Sequence, residues 1–161
     1  MRARAVILSC AGIAACALFQ PPDRTPEIAP ALADLGAAGF EFAPDVRLRN
    51  DAHAVCDGLS CADLVVERER RTILVADGAF ASPSKLRASL LEIWARYREP
   101  RRGNVRDLAR AALLVIREGP RAGVTDPGVL ADARSAYRQL YQQLPREKRG
   151  ELPAPASLAQ P

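Results

Sequence analysis

The residues with the greatest chemical potential lie in AHAVCDGLSCAD, Ala52 to Asp63, where the only histidine, His53, precedes Cys56 and Cys61. In an oxidising compartment, two cysteines this close in sequence are expected to close a disulfide around CDGLSC, with Gly58 supplying the turn. So tight a loop limits the stabilisation to about 2 kcal/mol on the loop-entropy account. A redox pair would favour the C-x-x-C spacing, which is absent here. A metal site built from His53, Cys56 and Cys61, with Asp57 or Asp63 as a fourth ligand, is chemically open but follows no familiar zinc spacing. No metal and no cofactor is assigned.

A single imidazole excludes more than any motif includes. A conventional zinc hydrolase uses two or three histidines and a general base, and this chain has one histidine in all. A serine nucleophile would have to be served by that same ring. Ser60, in Gly58-Leu59-Ser60-Cys61-Ala62, departs from the G-x-S-x-G elbow at its last glycine and has no strand leading into it. Glu67, Glu69, Asp77 and Glu92 offer carboxylates, but nothing in their spacing selects an acid and base pair. No residue is assigned a catalytic role.

The arginines are more suggestive. Arg96, Arg98, Arg101, Arg102 and Arg106 gather at the end of a predicted helix and in the loop after it. Cations there oppose the negative end of the helix dipole, so a solvated terminus accounts for them. The functional reading is docking to an anionic partner, such as lipid headgroups, lipopolysaccharide phosphates or an acidic protein surface, through bidentate guanidinium contacts. The formal charge of +4 includes Arg2 and Arg4 at the extreme N-terminus. If these are removed on processing the remainder is less basic than the pI of about 9.2 suggests, and nucleic acid is not implied.

The address is written at the N-terminus. Arg2 and Arg4 precede an apolar run from Ala5 to about Phe19, stopped by Gln20-Pro21-Pro22-Asp23. That is a charged n-region and an h-region of signal-peptide length, too short to span a bilayer comfortably. Ile13-Ala14-Ala15-Cys16 resembles the lipobox of bacterial lipoprotein precursors. The resemblance implies that residues 1–15 are a signal peptide and that Cys16 is lipidated and becomes the mature N-terminus. Ala17 after the cysteine is similar to lipoproteins sorted to the outer membrane, which implies a lipid-anchored protein on its periplasmic face. Ordinary cleavage after Ala17 also satisfies the small-x-small rule, and would give a periplasmic or secreted protein.

Behind that address, residues 16–39 are rich in Pro, Ala and Gly and are expected to form a tether, with room for one short helix around Ala31 to Leu35. Residues 40–145 are expected to hold a single α+β domain. Its sheet is predicted to be small and antiparallel: an edge strand in Phe40 to Arg49, and a hairpin from Leu64–Glu67 and Thr72–Val75. Three amphipathic helices follow. The first opens at Ser82-Pro83 and carries Leu86, Leu90, Ile93, Trp94 and Tyr97 on one face. The second is capped by Asn104 and stopped by Gly119-Pro120. The third starts at Asp126-Pro127 and buries Leu130, Ala133, Tyr137, Leu140 and Leu144. Residues 146–161 are expected to be a disordered tail.

Thr72 to Tyr97 also resembles the strand–turn–helix segment of zincin-type metallopeptidases. There Leu91-Glu92-Ile93-Trp94-Ala95 occupies the H-E-x-x-H motif, and only Glu92 survives, at the general-base position. The resemblance implies a degenerate relative without its metal-ligand histidines. The expected function is therefore an exported, lipid-anchored envelope protein with a non-catalytic binding, scaffolding or assembly-accessory role. Its partners would be the membrane, through the anchor, and an envelope protein or anionic lipid. The alternatives are the degenerate zincin relative and a soluble periplasmic or secreted binding domain.

Overall fold

The computed structural model describes residues 22–54, 72–98 and 104–158. Cys16, Cys56, Cys61, Arg101 and Arg102 lie outside the described residues, as does Leu64–Glu67. The architecture is α+β. Helix α1 spans Ile28–Ala37 and strand β1 Arg47–Asp51; β2 is Thr72–Ala76, α2 Pro83–Arg98, α3 Val105–Glu118, α4 Pro127–Gln143 and the short α5 Arg146–Arg149.

The two strands run parallel, in register from Arg47 opposite Thr72 to Asp51 opposite Ala76, which corrects the antiparallel sheet expected from sequence. Strand β2 does not alternate between a buried and an exposed face. Ile73, Leu74, Val75 and Ala76 are all buried, the continuous apolar run of a strand covered on both faces. Residues 52–71 separate the strands, a connection long enough for the crossover that parallel pairing requires.

Residues 24–39 belong to the fold rather than to a tether. Ile28, Ala31 and Leu35 recur at helical spacing and are buried in one core with Ile73 and Val75 of β2 and Leu86, Leu90 and Ile93 of α2. The small residues between them hid that stripe. α1 stops in a Schellman turn: Gly39 adopts φ +90°, the Phe40 amide donates to the Leu35 carbonyl at 2.9 Å and the Gly39 amide to Gly36 at 2.9 Å. Leu35 and Phe40, the apolar pair that accompanies this turn, are both buried. The start of the fold is latched to the end of β1. The Arg24 amide donates to Asn50 Oδ1 at 3.1 Å, and the Asn50 amide donates to Thr25 Oγ1 at 2.9 Å.

The helix caps follow the sequence signals. Ser82 Oγ accepts from the Lys85 amide, Asn104 Oδ1 from the Asp107 amide and Asp126 Oδ1 from the Gly128 amide. α3 and α4 pack around a second core of Ala109, Ala112, Leu113, Tyr137 and Leu144.

The expected C-terminal tail also folds. Leu152 is buried in that second core, the Tyr137 hydroxyl donates to the Pro153 carbonyl at 2.7 Å, and Arg149 donates to the carbonyls of Leu144 and Gln142. Charge and proline read as disorder; two leucines and one tyrosine outweigh them. Among the described residues no helix is long and apolar enough to cross a membrane.

Candidate functional site

Glu92 lies on the third turn of α2 and is only 7% exposed. Lys85, Ser89 and Glu92 recur at i, i+4 and i+7, so they form a polar seam along one side of the helix. The seam faces α3 and α4, where Ala112, Val115 and Asp132 complete the walls of a cavity of about 20 Å³. A water needs roughly 10–15 Å³ of such space. The cavity therefore accommodates a water or two and no substrate. Ser89 Oγ is buried without a hydrogen-bond partner, which suits a site holding a bridging water. Leu91, at the first histidine position of the resembled motif, is fully buried in the apolar core.

The structure separates the other sequence candidates. The guanidinium of Arg98 lies 4.6 Å from the centroid of the Trp94 ring, while Arg106 forms an ion pair with Glu151 that Lys148 shares. Arg96, on the same last turn of α2 as Arg98, is half-buried. Two members of the proposed anionic-partner patch thus have intramolecular roles. His53 is exposed, and its amide donates to Asp51 Oδ1 at 2.9 Å. Among the described residues no three His, Cys, Asp or Glu side chains converge to hold a metal ion.

Ser84 was missed in the sequence. Its hydroxyl is buried and accepts from the amides of both Thr125 and Asp126 at 3.1 Å, tying the start of α2 to the α3–α4 turn. A serine in the first turn of a helix gives no signal of so distant a partner.

Larger concave surfaces flank α1. On one side, Leu32, Phe40, Phe42, Val46 and Leu48 line an open groove of about 580 Å³ between α1 and the lead into β1. On the other, Pro30, Phe80, Pro83 and Leu86 floor a groove of about 500 Å³ rimmed by Arg24 and Arg87. Both rim arginines are paired: Arg24 with Glu27 at 2.7 Å and Arg87 with Asp34 at 2.5 Å. Arg24 also covers the Phe80 ring, 4.7 Å from its centroid. The hydrogen bond from Arg24 holds the Glu27 carboxyl below its ordinary range. The floors of both grooves are largely apolar, and the rim charges of the second are neutralised, which suits contact rather than proton transfer.

No family model, curated protein or solved structure matches this chain.

Proposed function

We propose that this chain is an exported envelope protein, anchored through lipid on Cys16, whose folded part binds or scaffolds a partner and carries out no chemistry of its own. The contrast in concavities supports this reading. The one buried carboxylate singled out as a catalytic candidate, Glu92, opens onto about 20 Å³, whereas the open apolar groove beside α1 offers about 580 Å³. Substrate sites are typically clefts of roughly 300–1,000 Å³ with convergent polar groups. Here the roomy concavity and the buried polar seam are different places.

Two measurements test the two halves of the proposal. Cys16→Ser should abolish acylation and release the protein from membranes; a variant that stays membrane-bound, with no labelled palmitate on the wild type, overturns the anchor. A photo-crosslinking residue at Phe42 should give a defined adduct in cell envelopes that disappears when Leu32→Glu is added. Absence of any adduct, together with a hydrolytic activity abolished by Glu92→Gln, would transfer the assignment to the degenerate-enzyme reading.

A further inference from the structure

Arg134 and Arg138 lie one turn apart on α4, and both line a hollow of about 30 Å³ with Tyr137, Pro155 and Leu158. The end of the chain builds its wall. Tyr137 donates its hydroxyl proton to the Pro153 carbonyl, Ser157 Oγ donates to the Ala154 carbonyl at 2.7 Å, and Leu158 packs against the α3–α4 core. Arg117, on the last turn of α3, is near enough for its charge to act on the Tyr137 hydroxyl but does not line the hollow.

Most of the other described arginines are already engaged. Arg24, Arg87, Arg106 and Arg121 each pair with a carboxylate. Arg149 is committed to two carbonyls and Arg98 to the Trp94 ring. Among the described residues, Arg134 and Arg138 have neither a hydrogen-bond acceptor nor an ion-pair partner; the same holds for Arg47, Arg117 and Arg146, but none of those lines the hollow. The Nε atom of Arg134 is moreover shielded from water with nothing to donate to. Arg96 and Arg106 share that feature, yet both side chains interact elsewhere. A shielded donor on a cation is costly when left unmade, so an acceptor arriving from outside would relieve it.

We infer that the hollow between α4 and residues 153–158 recognises a carboxylate on an acidic segment of a partner protein. Size favours a small anionic head. At roughly 10–15 Å³ for each water-sized position, about 30 Å³ admits two oxygens, which is the whole head of a carboxylate, whereas a phosphate would leave two of its oxygens outside. Planar guanidinium forks are suited to donate to those two oxygens side by side. This deepens the partner-binding reading by naming the partner's chemistry, and it does not depend on the anchor at Cys16.

Fluorescence anisotropy of a short labelled polyglutamate peptide with the purified protein, at about 50 mM salt, tests the site. Arg134→Gln and Arg138→Gln should each weaken binding about tenfold. Arg134→Lys, which keeps the charge and loses the fork, should not restore it. Arg146→Gln, an exposed arginine outside the hollow, should change binding less than twofold, about the surface-charge increment. Glutarate should displace the peptide at lower concentration than glycerol phosphate, a dianion with the chemistry of a lipid headgroup. Equal losses from Arg138→Gln and Arg146→Gln would reduce the interaction to general electrostatics and overturn the site. Stronger displacement by glycerol phosphate would make it a phosphate site and overturn the carboxylate assignment.

Discussion

The indole nitrogen of Trp94 donates to the backbone carbonyl of Glu41 across 2.8 Å, while its ring meets Phe40 edge-on with centroids 5.0 Å apart. This pair of contacts ties the middle of α2 to the turn leaving α1. It places Trp94 half-buried beside α1, less enclosed than Leu90 and Ile93 on the same helix.

Trp94→Phe should keep much of the ring contact and lose the donor, costing about 1 kcal/mol. Trp94→Ala should cost about 3 kcal/mol, the low end for a large aromatic because the site is only partly enclosed. Urea midpoints of the two variants read both values. The indole fluorescence should be partly quenched by iodide, between the limits for buried and free tryptophan.

Leu35→Ala tests whether the Pro- and Ala-rich segment is structural. Leu35 is fully buried, so the substitution should cost about 2–5 kcal/mol. A tether would lose nothing. Backbone amides of Leu35 to Phe40 should exchange slowly with deuterium in the wild type and rapidly in the variant.

Burial holds the Tyr137 phenol above the ordinary tyrosine range, with Tyr141 adding to the rise and Arg117 opposing it. The folded state therefore keeps this proton at a pH where the unfolded chain has lost it, and stability should fall as pH rises through and above about 10. Tyr137→Phe removes the hydroxyl that donates to Pro153 and should cost about 1 kcal/mol. It should also flatten the alkaline part of the stability profile measured by thermal unfolding.

At the other end of the pH scale, hydrogen bonds from Thr25 and Arg24 hold the Asp23 and Glu27 carboxyls below their ordinary values. The contribution of this N-terminal latch is complete above about pH 4.5 and is lost as pH falls through the lowered folded values. Melting temperatures from neutral pH to pH 3 should show a shallower acid limb in an Asp23→Asn, Glu27→Gln double variant than in the wild type.

For the cysteine pair, the unreduced exported protein should yield a peptide spanning Cys56 and Cys61 that is lighter by the mass of two hydrogens. Two free thiols, or zinc retained in stoichiometric amount, would contradict the disulfide.

Helices were legible where periodicity and punctuation agreed. Asn104 and Asp126 cap the helices they were expected to cap, and Ser82-Pro83 opens α2. Strand pairing was not legible, because Ile73 to Ala76 read equally as half of a hairpin or as a doubly covered parallel strand, and only the partner decides. Composition misled at both ends. α1 spaces its three buried residues among alanines and a proline, and the C-terminal segment anchors through Leu152 and Pro153, residues too sparse to register as a core stripe. The arginine candidates were chosen by nearness in sequence. The fold instead sets Arg134 and Arg138, one turn apart on α4, against the C-terminal segment that composition had marked as a tail.

The latch of Arg24 and Thr25 onto Asn50 has a further consequence for a chain held at Cys16. Only Ala17 to Asp23 separate the anchor from the first residue bonded to the fold, so the leash reaches at most about 28 Å when fully drawn out. A longer leash would let the domain roam the compartment. With lipid on Cys16, this one would keep the domain grazing the bilayer, and any partner that meets its grooves would have to lie within about one domain's breadth of the lipid surface.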